Sequence, residues 1–101
     1  MEKNHSLASF KNALDKQGFI SPMFGVLPPR EILRRTASQQ EIFGYVLEGD
    51  LELITDEEKL VYTKHEIFFI DGHANFEIHS GAKGVEYLFA FKPLMTSRIE
   101  S

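Results

Sequence analysis

The chain has 101 residues, of which 43% are hydrophobic and 26% are charged, and these values fit one globular domain and exclude a disordered or fibrous protein. Its formal net charge of -4 provides no field that would attract nucleic acid or an anionic membrane. Because the chain has no cysteine, disulfides, thiolate nucleophiles and cysteine-ligated zinc are also excluded. No apolar run is long enough to span a bilayer, so the sequence predicts a soluble, cytoplasmic protein.

The first predicted element is one short amphipathic helix from Ser6 to Gln17. Ser6 fits the N-cap position, and Gly18 fits the position just after the helix. The apolar residues that fall at helical spacing are Leu7, Phe10, Ala13 and Leu14. Such a stripe predicts a helix that packs on the rest of the domain, although the same apolar side could serve a dimer.

After Gly18 the pattern changes to short runs of β-branched and aromatic residues separated by turn formers, which predicts an all-β structure. The predicted strands are Phe19–Leu27, Glu31–Thr36, Glu41–Leu47, Leu51–Thr55, Lys59–Thr63, Glu66–Ile70, Ala74–His79 and Val85–Phe91. Turn formers such as Glu48-Gly49 and the Ser80–Gly84 stretch predict hairpins between them. The expected organisation is an N-terminal segment with the helix (1–18), a β-region (19–93) and a C-terminal tail (94–101).

Two stretches resemble the two sequence blocks of the cupin superfamily. Tyr45–Gly49 fits the Tyr-Val-Leu-x-Gly end of the first block, and His65–Gly72 resembles the second, with His65 in place of the first glycine and Asp71 in place of proline. Residues 50–64 separate them, close to the minimal spacing of the family. The resemblance covers roughly residues 30–91. It implies a cupin-type antiparallel β-barrel, also called a double-stranded β-helix or jelly roll, with one short N-terminal helix.

The metal ligands of the family do not carry over to this chain. Metal-binding cupins place two His and a Glu before the hairpin and a further His after it. The resemblance puts Ile42 at the Glu position and Phe76 at the last His position. The remaining two positions fall on Thr36 and Ser38, or on Arg35 and Ala37. We therefore expect no metal and no cofactor, and we expect a dry barrel interior lined by Ile42, Val46, Phe76 and Ile78.

An alternative metal site lies on the strand predicted near residues 74–79. His73, Asn75, Glu77 and His79 alternate along the sequence and would project from one face of a strand. Phe76 and Ile78 occupy the opposite face, which favours a solvated outer surface for the polar row. A metal site made of His73, Glu77 and His79 remains the alternative.

The candidate ligand-binding residues are polar groups near the first block, together with one aromatic residue: Arg34, Glu41, Tyr45 and Phe76. Arg34 belongs to a basic cluster that could bind a carboxylate or phosphate, or form a surface ion pair, whereas Arg35 is expected to point away. Glu41 and Tyr45 could form a metal-free acid/base pair.

Three functions remain open at this point. The leading hypothesis is a homodimeric small-molecule-binding or regulatory module with its ligand in the barrel, since the helix and the Val85–Phe91 strand carry more apolar surface than one core can hide. The alternatives are a cupin enzyme (isomerase, lyase or dioxygenase) with a non-standard site, and a structural interaction protein. Polar residues at the barrel mouth would favour binding, convergent His and carboxylates would favour catalysis, and a packed interior would favour an interaction role.

Overall fold

A computed structural model of the chain describes residues 7–19, 22–35, 40–72 and 75–93. Within these ranges the chain forms one helix and six strands: α1 (Leu7–Gln17), β1 (Met23–Leu27), β2 (Ile32–Arg35), β3 (Gln40–Thr55), β4 (Lys59–Thr63), β5 (Ile67–Ile70) and β6 (Phe76–Pro93). All of their pairings are antiparallel. Ser6, His73 and the tail 94–101, on which sequence predictions fell, lie outside the described residues.

The two long strands β3 and β6 pair with each other and organise the barrel. The first part of β3 and the last part of β6 are flanked by β5 and β1, whereas the last part of β3 and the first part of β6 are flanked by β4 and β2. The two halves share one hydrophobic core, to which both contribute: Ile42, Val46, Leu51, Leu53, Phe68, Ile70, Phe76, Ile78, Val85 and Tyr87. The predicted antiparallel β-barrel is confirmed, and the four residues expected inside it belong to this core.

The hairpins predicted at Glu48-Gly49 and at Ser80–Gly84 are wrong. Both segments lie inside continuous strands, where the register of β3 against β6 shifts between Val46 and Glu48 and again between Gly49 and Leu51. Gly49 and Gly84 have φ angles of 80° and 82°, and the carbonyl oxygen of Gly84 occupies the space that a Cβ at Gly49 would need. Because glycines with positive φ serve β-bulges as well as tight turns, the local sequence does not distinguish the two.

Helix α1 packs on the outer face of the sheet, as its apolar stripe predicted. Phe10 and Leu14 are buried against Tyr45 and Ala90. The helix ends at Gln17, and the φ of 78° at Gly18 suits the residue that follows a helix. No helix among the described residues is both long enough and apolar enough to cross a bilayer.

Ser80 holds the connection between β1 and β2 against β6. Its buried hydroxyl donates a hydrogen bond to the carbonyl of Pro28 and accepts one from the backbone N–H of Glu31 at 2.7 Å. The backbone N–H of Ser80 donates to the carbonyl of Glu31 at 2.9 Å. These bonds support the register in which Arg34 stands opposite Glu77 and Arg35 opposite Phe76.

Candidate functional site

A cavity of about 300 Å³ lies between the two halves of the barrel. Its wall is mostly hydrophobic: Leu33, Ile42, Phe68, Ile70, Phe76, Ile78, Tyr87, Phe89 and Phe91. The other two lining residues, Arg35 and Gln40, are polar, and they stand at the end of β2 and the start of β3. A cavity with an apolar wall and a few polar groups is the usual form of a small-molecule site.

Two glycines leave room for aromatic rings that line this cavity. A Cβ at Gly25 would lie 2.7 Å from the ring of Tyr87, and a Cβ at Gly44 would overlap the ring of Phe68. The two rings contact each other edge to face, with their centroids 6.2 Å apart. Because any larger residue at either glycine would push a ring inward, the glycines help to keep the cavity open.

The strand register places Arg35, and not Arg34, at the cavity. Arg35 shares the inner face with Phe76, its partner on β6, and its Nη1 donates a hydrogen bond to the carbonyl of Arg34 at 3.2 Å. Arg34 lies on the outer face, where its Nε is 2.8 Å from Oε2 of Glu77. Arg34 and Arg35 therefore lie on opposite faces, as the alternation of the strand predicted, and it is Arg35 that lines the cavity. The sequence of β2 does not show which face of the strand is the inner one, because each face carries one apolar and one basic residue. Only the pairing of β2 with β6 identifies the inner face.

Glu77 contacts two basic side chains on the outer surface of the barrel. Besides Arg34, its carboxylate contacts Nε2 of His79 at 2.8 Å. The hydrogen bond from His79, and then that from Arg34, lower the pKa of Glu77 below its usual range. Phe76 and Ile78 are buried on the opposite face, so the strand has the predicted parity.

The alternative metal site is represented in the structure by Glu77 and His79 alone, since His73 lies outside the described residues. Across residues 7–19, 22–35, 40–72 and 75–93, no three His, Asp or Glu side chains are grouped so that they could hold a metal ion. His65, which we interpret as a turn residue, lies in the turn before β5 with a φ of 74°.

Tyr45 and Glu41 lie outside the cavity. Tyr45 is only 3% exposed, but it is buried beneath α1, where its ring stacks on those of Phe10 at 5.3 Å and His65 at 6.2 Å. Glu41 stands opposite Lys92 on the same face of the sheet as Tyr45. The four residue steps from Glu41 to Tyr45 span about 13 Å of extended strand, too far for direct proton transfer between their side chains. The structure therefore does not bring together the predicted acid/base pair, and of the four candidate ligand-binding residues only Phe76 lines the cavity.

Comparison with known proteins identifies similar structures but no similar sequence: no family model and no curated protein matches the chain. A protein of unknown function from Rhizobium leguminosarum bv. viciae 3841 is 21% identical, with a TM-score of 0.66 over 92% of this chain and 98% of that one. The EutQ protein of Clostridium difficile is 17% identical, with a TM-score of 0.63 over 80% of this chain and 57% of that one. The cupin domain of Schizosaccharomyces pombe Cnp3 is 16% identical, with a TM-score of 0.62 over 72% of this chain and 56% of that one.

These neighbours establish the fold and leave the activity open. The chain adopts the cupin fold, as the two sequence blocks implied. It spans somewhat more than half of the EutQ and Cnp3 structures, whereas it matches the Rhizobium protein over nearly the whole length of both chains.

Proposed function

We propose that this cupin-fold protein is a binding module that takes up a small, largely apolar molecule in the cavity between its two halves. The observation that carries the proposal is the wall of the cavity, in which the described part of the chain places nine hydrophobic residues and two polar ones, Arg35 and Gln40. A volume of about 300 Å³ corresponds to on the order of ten non-hydrogen ligand atoms, if each takes the space of one water molecule in the liquid.

The residues at the positions that the resemblance assigns to metal ligands favour a small-molecule site over a metal site. Ile42 and Phe76 stand where the resemblance to metal-binding cupins puts Glu and His, and both line the cavity. Aliphatic and aromatic carbons do not ligate metal ions, but they stabilise an apolar ligand by removing its surface from water.

Both halves of the barrel would contact one ligand, which gives the site a route to regulation. Leu33 and Ile78 belong to one half, and Ile70 and Phe89 belong to the other. A ligand that binds the folded barrel and not the unfolded chain raises the free energy of unfolding in proportion to the logarithm of its concentration above Kd. The barrel would therefore become more stable when the ligand is abundant.

Titration with octanamide, an uncharged molecule with a linear tail, tests the proposal. Methyl resonances in ¹H–¹³C spectra should move for the cavity residues Leu33, Ile70 and Ile78 and stay in place for the exposed β4 residues Leu60 and Val61. Calorimetry would give the affinity. Shifts confined to the exposed methyls, or no shift at all, would contradict a cavity site.

A blocked cavity provides the matched control. Leu33 is partly exposed on β2, so Leu33→Trp should place an indole in the cavity without disrupting the core. Val61→Trp adds the same ring at a position that is 59% exposed and outside the cavity. Octanamide should bind the Val61 variant as it binds the wild type and should lose affinity for the Leu33 variant. Unchanged affinity in a folded Leu33 variant would refute the proposal.

A further inference from the structure

The geometry points to a monocarboxylate with an apolar tail as the ligand class, with the tail among the aromatic rings and the carboxylate on the guanidinium of Arg35. This inference rests on the proposed function, because it adds a head group to a molecule already held by the apolar wall. Two side chains of that wall, Arg35 and Tyr87, carry the argument.

Among the described residues, Arg35 is the only charged one that lines this cavity. Its neighbour Arg34 lies 2.8 Å from a carboxylate oxygen of Glu77, and Lys64 lies 2.8 Å from one of Glu48. By contrast, no carboxylate in the described part of the chain comes within ion-pair distance of Arg35, whose one hydrogen bond is to a backbone carbonyl. A guanidinium has donors arranged to bind a carboxylate through two parallel hydrogen bonds, so Arg35 retains the capacity to bind an anion.

Tyr87, whose ring belongs to the hydrophobic wall, adds a phenolic hydroxyl to the argument. It is only 7% exposed, and its hydroxyl forms no hydrogen bond with any residue in the described part of the chain. Burial raises the pKa of Tyr87, an effect that the positive charge of Arg35 partly offsets. The phenol therefore keeps its proton and remains a donor. A buried hydroxyl without a partner costs free energy, and a ligand oxygen would remove that cost.

The charge of the wall narrows the ligand class further. Because the described residues of the lining include one cation and no acidic side chain, the cavity matches a single negative charge. A phosphate dianion or a dicarboxylate would leave a second charge against the hydrophobic wall, and an amine would leave its charge beside Arg35 with no counter-ion. An apolar monocarboxylate avoids all of these costs.

Octanoate and octanamide test the inference, since they share a tail and a head-group shape but differ in charge. In calorimetric titrations at neutral pH, the wild type should bind octanoate roughly fivefold to tenfold more tightly than octanamide, as expected for a charge-assisted pair that stays partly exposed to water. Arg35→Gln should bind both equally, at the affinity that the wild type has for octanamide. Arg34→Gln makes the same change of charge one residue away on the outer face and should keep the wild-type preference. Tyr87→Phe should weaken octanoate binding.

The outcomes separate failure of this inference from failure of the proposed function. If both ligands bind the wild type in the cavity with equal affinity, the cavity is an apolar site and the carboxylate assignment is wrong. Equal losses of octanoate affinity in the two arginine variants would also overturn it, because a general field effect would then explain the preference. Unchanged octanoate binding in Tyr87→Phe would overturn the role assigned to the hydroxyl. If neither ligand binds, the proposed function fails and this inference fails with it.

Discussion

Two phenylalanines, one on the helix that covers the outer face of the sheet and one on strand β1, should differ sharply in their contribution to the free energy of unfolding. Phe10 on α1 is completely buried, and its ring stacks on those of Phe43 at 5.6 Å and Tyr45 at 5.3 Å. Phe24 on β1 is 58% exposed. Phe10→Ala should lower the free energy of unfolding by about 3–5 kcal/mol, since it empties a buried aromatic site and removes both stacked pairs. Phe24→Ala should change it by less than about 1 kcal/mol.

Urea denaturation followed by two signals provides the assay. Circular dichroism reports the helix, and tyrosine fluorescence reports the barrel. A loss of about 4 kcal/mol would remove a large share of the 5–15 kcal/mol typical of natural domains, so the Phe10 variant should unfold at a much lower urea concentration. If α1 detaches first, the helix signal should change together with the fluorescence of Tyr45, which lies beneath α1, and before the fluorescence of Tyr62 and Tyr87 in the barrel. The transitions should be measured at two protein concentrations, so that any association through Phe24 is separated from folding.

Equal midpoints for the Phe10 and Phe24 variants would refute this reasoning. They would mean that α1 does not hold its place through Phe10 and that Tyr45 tolerates exposure. The result also decides between the two roles that the sequence left open for the apolar side of the helix. Burial against its own barrel predicts a loss of stability, whereas an interface role predicts a loss of association.

Four further expectations can be checked with purified protein. Phe76→Ala should destabilise the fold by about 3–5 kcal/mol, toward the lower value because the ring borders an existing cavity, and an unchanged denaturation midpoint would show that the ring is exposed. Because the pKa of Glu77 is lowered in the folded protein, its ionised form stabilises the fold at pH values above the usual pKa of 4.5. In chemical denaturation, the stability advantage of the wild type over Glu77→Gln should therefore disappear as the pH falls below 4.5. A stability difference that does not change with pH would contradict this expectation. Protein purified without added metal should contain no stoichiometric transition metal by elemental analysis, and about one ion per chain would instead point to His73, Glu77 and His79. Light scattering should give the mass of a homodimer that Phe24→Glu weakens, whereas a single-chain mass at every concentration would exclude it.

The sequence predicted the elements whose pattern is local. Helical spacing placed Phe10 and Leu14 in the core, and strict alternation placed Phe76 and Ile78 on the inner face of β6. In both elements, the spacing of the apolar residues along the sequence is enough to distinguish the buried face from the exposed one, without knowledge of the neighbouring elements.

What the sequence could not predict depends on which strands pair and in which register. The bulges at Gly49 and Gly84 have the composition of turns, so β3 and β6 each look like two strands. The inner position of Arg35 follows from its pairing with Phe76, to which β2 itself gives no clue. The cavity requires both kinds of information, because its wall combines residues from either side of the bulges.

Positions that the resemblance assigns to metal ligands lie at the proposed ligand site. Of the positions that the resemblance assigns to metal ligands, Ile42 and Phe76 line the cavity, as does Arg35, a member of one of the two pairs left open by the sequence. A metal ion brings positive charge to such a site only if several side chains ligate it, whereas an arginine side chain is itself a cation. When a side chain supplies the positive charge, the other positions need no ligating groups and can be hydrophobic. A barrel with a fixed cation and an apolar wall can then bind an apolar anion without any metal.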